Sequence, residues 1–328
     1  MDAPLFSIVI VNFNGKEYLK NCLASVFNNA CDDYEIIIVD NGSTDRSIEF
    51  VKDTFSIKLY KIRVINLKRN FGPARARNEG VKMARGKYIG FLDNDTEVDK
   101  NWIVEAIKGF ESSKEIAALQ CKLLFIKDKH RIDYAGEYLS NLGFLIPVAA
   151  YGERDNGQYD FKNRILSAKS AGMFIKKSIF DRIDGFDEDY FIFMEETDLN
   201  WRAWLSGYEI VFCPYSVVYH SFSATKDIVD KRFNNRLVRF HGTKNYILTL
   251  YKNLSYKYCI KILPLHVFLW FCLSFYLLIR GNARSSLNIF QGILWNLVNF
   301  GKNSRKRALI QKNRVRTDTE LFVNFGLI

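Results

Sequence analysis

The sequence lacks the cysteine spacing that marks small secreted proteins and zinc sites. Its six cysteines are scattered over 328 residues, and no two of them form a C-x-x-C pair. Disulfide frameworks and tetrahedral zinc sites depend on such spacings. We therefore interpret the six as reduced thiols of a cytosolic protein.

Two N-terminal signals are absent as well. The first residues, MDAPLFSIVIVNFNG, contain neither a basic segment nor a small-residue cleavage site, so we expect a first strand there and no signal peptide. No G-x-G-x-x-G motif follows that strand. These absences argue against a secreted protein and against a dinucleotide-dependent enzyme.

An acidic excess is also missing, since 47 Lys and Arg residues face 36 Asp and Glu residues, for a net charge of +11. A basic balance suits nucleic acid, an anionic membrane surface or phosphorylated ligands as partners. We recognise no nucleic-acid-binding motif, and much of the excess lies after residue 226, beside apolar segments. We therefore predict a membrane surface, and no nucleic acid, as a partner.

What the sequence does contain is a series of short apolar runs rich in β-branched residues, each typical of a buried strand. In the first hundred residues they alternate with segments of helical periodicity, which predicts an α/β domain with a mostly parallel, Rossmann-like central sheet. Early strands are predicted at Phe6–Val11, Tyr34–Val39, Val64–Ile65 and Tyr88–Leu92, and later ones at Ala117–Phe125, Ile132–Leu139, Leu166–Ile175, Glu209–Cys213 and Val217–His220.

The fourth of these strands ends abruptly in Asp93-Asn94-Asp95. Ligands of open α/β sheets bind outside the carboxyl ends of the strands, and Mg²⁺ or Mn²⁺ sites use one or two carboxylates together with water and phosphate oxygens. The pattern therefore indicates a metal–diphosphate site. The alternative is a polar turn in which Asp93 and Asn94 cap a helix that starts near Asn101.

Composition changes after His220, so we divide the chain into a domain of residues 1–225 and a basic, apolar, helical region of residues 226–328. Ile262–Ile279 carries no charge and is close to the about 20 apolar residues that span a bilayer. Basic residues on both sides disfavour a single span, and Leu287–Phe300 is too short for a return span and has a polar stripe. We predict a hydrophobic hairpin or in-plane helices on the cytoplasmic face of the cell membrane; a single span and a buried core helix are the alternatives.

Six motifs in order resemble glycosyltransferase family 2, over about residues 5–225. They read SIVIVNFNG, EIIIVDNGSTD, NFGPARARNEG, GKYIGFLDND, GFDEDYFIFMEETDLNWR and P-x-S-x-V-x-H. The chain is most similar to the rhamnosyltransferase-like branch, which builds cell-surface polysaccharides. The resemblance implies a GT-A fold and inverting transfer of a sugar from a nucleoside-diphosphate donor. The implied acceptor is a hydroxyl of a glycan or of a polyprenyl-linked glycan.

The resemblance also implies which residues bind the nucleotide sugar. Asp40 matches an aspartate that accepts a hydrogen bond from a uracil or thymine ring, which suits UDP or dTDP donors, and its alternative is a turn cap. Phe13 matches a side chain that packs against the base, or is a core aromatic. Asn70 opens the loop that lies under the diphosphate, and Arg77 in that loop would offset phosphate charge; an ordinary surface arginine is the alternative.

The metal and the catalytic base follow from the same resemblance. Asp93 is expected to reach the ribose or metal-bound water, and Asp95 to coordinate Mg²⁺ or Mn²⁺ directly. His220 is expected to supply a third ligand, which suits Mn²⁺ better; a histidine that is only hydrogen-bonded is the alternative. Glu196 matches the base that deprotonates the acceptor. The family's usual pair is Glu-Asp, whereas this chain has Glu195-Glu196, so Glu195 is the second candidate. The alternative for Glu195 is a residue that anchors the helix or contacts the acceptor.

Two other classes of function stay open at this point. A nucleotidyltransferase shares the nucleotide-binding architecture, although its usual G-x-G-T-R-like loop is absent from the N-terminal region. A basic, non-catalytic binding protein is suggested by the net charge alone.

Overall fold

The computed structural model describes residues 3–161, 164–221 and 237–324, and the account below concerns these residues. Strands and helices alternate at the start of the chain, as predicted. The strands are β1 (Phe6–Asn12), β2 (Tyr34–Asp40), β3 (Ile62–Asn66) and β4 (Tyr88–Asp93), and the helices are α1 (Lys16–Phe27), α2 (Ser47–Thr54) and α3 (Pro73–Met83).

These four strands are parallel and lie in the order β3-β2-β1-β4. The side chains of β2 are buried along its whole length, which is why its sequence is almost continuously apolar instead of alternating. The register aligns Asn12 with Asp40 and Val11 with Asp93. Parallel pairing therefore brings the polar ends of β1, β2 and β4 to one edge of the sheet.

The sheet continues beyond β4 as a mixed arrangement. The next elements are β5 (Thr96–Val98), α4 (Trp102–Glu111), β6 (Ile116–Phe125), β7 (Asp128–Tyr134), β8 (Glu137–Leu139), β9 (Leu145–Pro147), β10 (Met173–Lys176), α5 (Lys177–Arg182), α6 (Glu195–Leu205) and β11 (Glu209–His220). The strand order is β4-β10-β6-β11-β5, and β10 runs antiparallel to both of its neighbours. The central sheet therefore begins with four parallel strands and continues as a mixed sheet, which agrees with the predicted α/β class and its mostly parallel first half.

Two strand predictions were wrong in extent. The predicted strand Ile132–Leu139 is two strands, because Gly136 lies between them at φ +112°, a conformation that a strand does not use. The pair Glu209–Cys213 and Val217–His220 is one strand, β11, with a bulge after Cys213.

The prediction for Leu166–Ile175 was also wrong, because only Met173–Lys176 forms a strand. The residues before it use their polar groups elsewhere. Ser170, for example, donates from its backbone amide and its hydroxyl to a carboxylate of α6.

The C-terminal region is helical in its described part. It contains a π-helical turn (Leu237–His241), α7 (Gly242–Asn253), α8 (Tyr256–Ile279), α9 (Ala283–Val298), α10 (Phe300–Lys312) and α11 (Asp318–Asn324). Leu250, Leu254 and Ile262 belong to the same buried cluster as Leu199 and Trp204 of α6. The predicted boundary at residues 225 and 226 lies outside the described residues, and the division there stays a prediction.

Helices α8 and α9 pack on each other and are joined by a short turn at residues 280–282, so they form a hairpin. Ser274 donates to the backbone oxygen of Ser286 across the pair, and Asn282 caps α9 by accepting from the amide of Ser285. Helix α8 is long and apolar enough to cross a membrane, yet only 17% of its most apolar window is buried. The hairpin therefore presents a large apolar surface.

Candidate functional site

Strand pairing brings together three possible metal ligands, here called the metal-ligand cluster, at the carboxyl edge of the sheet. Asp93 ends β4, Asp95 lies in the turn that follows, and β5 pairs with β11 so that Thr96 faces His220. One ligand atom each from Asp93, Asp95 and His220 lies within 4.8 Å of the others. Residues that the sequence separates by more than 120 positions thus meet at one point.

The helix-capping alternative for Asp93 and Asn94 is wrong. Helix α4 begins after Asn101, and the backbone amide of Asn101 is bonded by Asp99. Asn94 donates to Asn12 at 2.8 Å, and Asp93 accepts from Arg77 at 3.1 Å. Both side chains therefore bond other residues at the carboxyl edge of the sheet and do not cap α4.

The cluster has the donor set and the orientation that a divalent cation needs. Asp95 Oδ2 is buried and has no hydrogen-bond partner among the described residues. His220 Nδ1 lies 2.7 Å from Asp133 Oδ2, while Nε2 lies 3.5 Å from Asp95 Oδ1. Histidine ligands commonly hold the second ring nitrogen against a carboxylate in this way. The two carboxylates and the imidazole fit Mg²⁺ or Mn²⁺ chemically.

The same carboxylates determine the charge of His220. Burial lowers the pKa of His220, but the hydrogen bonds and charges of Asp133 and Asp95 outweigh it and raise that pKa to about 10. The protonated His220 therefore supplies a positive charge between the carboxylates of Asp133 and Asp95. A cation that binds here has to displace this proton, since only a neutral imidazole coordinates a metal.

Arg77 connects the cluster to the glutamate pair. It is 5% exposed, so the surface-arginine alternative is wrong. Its Nη2 donates to Asp93 Oδ1 at 3.1 Å, its Nη1 donates to Glu195 Oε1 at 2.9 Å, and Nη1 lies 3.7 Å from Glu196 Oε1. Burial lowers the pKa of Arg77, but Asp93, Glu196 and Glu195 together raise it, so the guanidinium stays charged.

Glu195 and Glu196 open helix α6 and occupy different environments. Glu195 is 2% exposed, and burial and the charge of Glu196 raise its pKa to about 8 against the opposing effect of Arg77. Its Oε2 has no hydrogen-bond partner within the described parts of the chain. The side chain of Glu196 is 17% exposed, and its Oε1 accepts from the amide and hydroxyl of Ser170. Glu196 is therefore the carboxylate that a second substrate reaches more easily.

The predicted nucleotide-binding residues lie on the same edge of the sheet. Asp40 is buried at the end of β2 and accepts from Asn12 at 3.1 Å and from the amide of Ser43 at 3.1 Å. Its side chain thus also stabilises the turn, as the alternative for this residue expected. Phe13 directly follows β1 and is half-buried.

Asn70 orders the loop that precedes α3. Its side-chain oxygen accepts from Asn41 Nδ2 at 3.0 Å and from the amide of Gly72 at 2.8 Å. These contacts fix the entry to the helix that carries Arg77. Asn70 therefore has a structural role in the site.

Comparison with known proteins identifies the family. A family profile described as "Glycosyl transferase family 2" matches residues 7–181, just over half of the chain. The chain belongs to glycosyltransferase family 2. A curated relative, an uncharacterized glycosyltransferase of Haemophilus influenzae, is 39% identical over 95 residues, which are 29% of this chain and 38% of that protein. The chain therefore spans well under half the length of that relative.

Solved structures share the fold at low sequence identity. The structure of S. aureus TarS 1-349 in complex with UDP-GlcNAc matches with a TM-score of 0.57 at 17% identity, covering 79% of this chain and 70% of that one. The mannosyltransferase PcManGT from Pyrobaculum calidifontis, in complex with GDP-Man and Mn2+, matches with a TM-score of 0.55 at 13% identity, covering 95% of this chain and 86% of that one. Both likenesses confirm the predicted GT-A fold.

Three further side chains of this family 2 member contribute to the site and were not predicted. Asp133 of β7 fixes the ring of His220, Ser170 binds Glu196, and Asn12 bonds Asp40 while accepting from Asn94. Asn12 carried a detectable signal, because it ends the first strand just as Asp40 and Asp93 end theirs. Asp133 and Ser170 carried none, since neither follows a strand end or a motif.

Proposed function

We propose that the protein is a metal-dependent, inverting glycosyltransferase. It moves a sugar from a UDP- or dTDP-linked donor to a hydroxyl of a glycan or polyprenyl-linked acceptor during assembly of a surface polysaccharide or glycan. The observation that carries this proposal is the bridging position of Arg77, which contacts Asp93 of the metal-ligand cluster and lies 3.7 Å from Glu196. A donor diphosphate held at the cluster therefore lies close to a carboxylate that can accept a proton. The rhamnosyltransferase-like branch stays a prediction.

The donor side of the reaction uses the carboxyl edge of the sheet. Asp93, Asp95 and His220 would hold Mg²⁺ or Mn²⁺, which when bound offsets the negative charge that develops on the departing diphosphate. Arg77 adds a fixed positive charge next to Asp93, since it is buried and cannot reorient freely. Asp40 would accept the ring N–H of uracil or thymine, and Phe13, which follows β1 on the strand next to β2, would pack against the base.

The acceptor side uses Glu196. The oxygen of the acceptor hydroxyl forms a bond to the anomeric carbon while the bond from that carbon to the diphosphate oxygen breaks, and Glu196 takes the hydroxyl proton. Attack from the face opposite the leaving group inverts the configuration. Glu196 suits this role because it is the more exposed of the pair and is oriented by Ser170, whereas Glu195 is committed to Arg77.

A donor screen tests the proposal. Purified protein is incubated with UDP-glucose, UDP-GlcNAc, dTDP-rhamnose or GDP-mannose, with Mn²⁺, with Mg²⁺ or with EDTA, and released nucleoside diphosphate is measured. We expect release from a uridine or thymidine donor that EDTA abolishes. Turnover of GDP-mannose alone would contradict the role of Asp40, and pyrophosphate release from UTP and a sugar 1-phosphate would instead identify a nucleotidyltransferase. A product with retained anomeric configuration, determined by NMR, would contradict inversion.

We further propose that the hairpin α8–α9 rests on the cytoplasmic face of the cell membrane without crossing it. Large apolar side chains of α8 are exposed, with Phe268 62%, Phe275 65% and Ile279 69% accessible. Basic side chains such as Lys261 and Arg284 flank this apolar surface. Apolar contact together with attraction to anionic lipids supports adsorption to a bilayer surface.

The contacts of α8 argue against a full span. His266, in the middle of the helix, is buried and bonds the backbone oxygen of Leu142 at 2.8 Å, and Ile262 is buried as well. Residues 267–279 beyond this contact extend about 20 Å, which is short of the hydrocarbon core of about 30 Å. The first half of α8 is thus bound to the sheet domain, and the second half is left for the membrane surface.

A further inference from the structure

The backbone directly before the glutamate pair adopts an unusual conformation. Phe191, Phe193 and Met194 have φ angles of 61°, 69° and 68°. Bulky side chains rarely occupy this left-handed region, and such conformations persist only where the surroundings impose them. The turn Tyr190–Met194 therefore needs partners that hold it, because Glu195 and Glu196 follow it immediately.

Asn245 of α7 is positioned to hold this turn. Its side chain is fully buried, and Nδ2 lies 3.0 Å from the backbone oxygen of Tyr190, 2.7 Å from that of Ile192 and 2.8 Å from that of Phe193. The two N–H groups of this one amide are thus shared among three carbonyl oxygens of the same turn. Lys244, the residue before it, donates to the backbone oxygen of Asp189.

The opposite side of the turn rests on the loop that carries Asn70. A Cβ atom on Gly72 would lie 2.4 Å from the backbone oxygen of Phe191, so only glycine permits this approach. The turn is therefore confined between Gly72 and Asn245. Its position sets where the first turn of α6, with Glu196, meets the metal-ligand cluster.

We propose that Asn245 is a positioning residue that orients Glu196 by fixing the turn Tyr190–Met194; the inference rests on the proposed role of Glu196 as the base. The sequence alone does not indicate this role of Asn245, because its segment is only predicted to be basic and helical. Among the described residues, Nδ2 of Asn245 bonds only backbone oxygens, and its side chain is fully buried, so it does not contact a substrate directly. Its effect on transfer passes through the loop that it holds.

The chain offers a matched control for loss of a side-chain amide. Asn296 Nδ2 donates to the backbone oxygen of Lys244 at 3.0 Å and to that of Gly292 at 3.1 Å. It therefore joins α9 to the same stretch of α7, one residue from Asn245, but bonds no atom of the turn Tyr190–Met194 in the described structure. Asn296→Ala should also remove side-chain hydrogen bonds that join two helices, but it should leave the turn Tyr190–Met194 in place.

The test compares Asn245→Ala, the milder Asn245→Ser and Asn296→Ala in the full chain. Hydrogen exchange measured by mass spectrometry needs no substrate, and it should show about tenfold faster exchange of amides 190–198 in Asn245→Ala, because local opening is favoured once the carbonyls lose their donor. With a donor that the wild type uses, kcat should fall on the order of 10²-fold, the scale of a catalytic group displaced by about 1 Å. The KM for the donor should change far less, since Asp40 and Asp95 are untouched.

Each outcome is decisive. Unchanged exchange in amides 190–198, or an equal loss of kcat in Asn296→Ala, would overturn the positioning role, because the effect would then be general helix packing. If Asn245→Ala does not fold, both measurements are made on Asn245→Ser, whose hydroxyl retains one hydrogen-bond donor. A wild type that turns over no donor would reject the proposed function, while the exchange comparison would still decide whether Asn245 holds the turn.

Discussion

Arg77 and Glu195, 118 residues apart in the chain, form a buried hydrogen bond in which Nη1 of Arg77 donates to Oε1 of Glu195 at 2.9 Å. The other arm of the same guanidinium lies 3.1 Å from Asp93. A planar fork is required for this arrangement, because one side chain has to bond two carboxylates in different directions. The loop that would bind the diphosphate and the helix that would carry the base are thus linked through one residue.

Substitution of Arg77 should therefore damage both stability and transfer. Arg77→Met leaves the side chains of Asp93 and Glu195 without this donor, and a buried polar group that loses its hydrogen-bond partner costs about 1–3 kcal/mol. Arg77→Lys keeps the charge but serves only one direction, so it should fall between wild type and Arg77→Met. Urea unfolding followed by circular dichroism measures the change. Arg75→Met is the control, since Arg75 lies 3.8 Å from Glu188 and both side chains are 44% exposed; a large loss in this control would contradict the argument.

Removal of the Asp95 carboxylate from the cluster should strongly reduce metal-dependent transfer. Asp95→Asn preserves size but replaces a charged oxygen ligand with a neutral amide, which hard cations bind poorly. We expect a loss of transfer on the order of 10²-fold, comparable to removal of one electrostatic stabiliser, with an unchanged circular dichroism spectrum. Activity that persists in EDTA, in wild type or variant, would eliminate the metal from the proposal.

Substitution of Glu195 and substitution of Glu196 should reduce the transfer rate to different extents. Glu196→Gln should reduce transfer about 10² to 10⁴-fold, the usual range for a general base, while titration with the donor shows nearly unchanged affinity. Glu195→Gln should retain more activity, because its main contact is with Arg77. If Glu195→Gln is inactive and Glu196→Gln is active, the assignment of the base is off by one residue.

The predictable part of the site is the part that follows strand ends. Asp40, Asp93 and Asp95 follow apolar runs, and parallel pairing brings such ends together without further information. Asp133 and Asn245 follow no such rule. Asp133 depends on how β7 pairs with β6, and Asn245 depends on how a helix after residues 222–236 packs against the turn Tyr190–Met194.

The same distinction applies to the fold. The strand at Leu166–Ile175 was predicted too long because apolar composition does not reveal that Ser170 is bonded to Glu196. An apolar run indicates where a strand can form, but it does not show which backbone amides bond side chains of the site instead of a neighbouring strand. Elements that serve the site are consequently where the predicted and observed boundaries differ.

The protonation of Glu195 should make stability depend on pH in a defined direction. The folded pKa of about 8 lies above the ordinary value of 4.5, so the folded chain retains a proton that the unfolded chain releases between these values. The contribution of Glu195 to stability is therefore complete below pH 4.5 and decreases as the pH rises through 8. Glu195→Gln mimics the protonated form at every pH. Its melting temperature should rise relative to wild type between pH 5 and 9, with Glu188→Gln as an exposed control; a relative fall would show that Arg77 keeps Glu195 ionised.

The exposed face of the hairpin should decide membrane binding. Phe275→Asp places a charge at a side chain that is 65% exposed on α8, whereas Ile57→Asp places one at an 89% exposed apolar residue of the sheet domain. In flotation with vesicles that contain phosphatidylglycerol, wild type and Ile57→Asp should float with the lipid, and Phe275→Asp should lose most binding because the charge has to leave water. Equal flotation of all three proteins would contradict the assignment of this face.

The topology of the C-terminal residues separates surface adsorption from a span. Helix α10 is joined to the sheet domain, since Lys306 bonds Asp187 and Asp189, so residues after it should lie on the same side of the membrane as the site. A single reporter cysteine after Arg316, in a variant whose six native cysteines are replaced, should resist an impermeant maleimide in intact cells and react once the membrane is opened. Labelling from outside would require α8 to cross, which would break the contact of His266 with Leu142 or carry the sheet domain with it. Protection therefore follows directly from the packing of α8 and α10 on the sheet domain, and labelling of intact cells would overturn the monotopic arrangement.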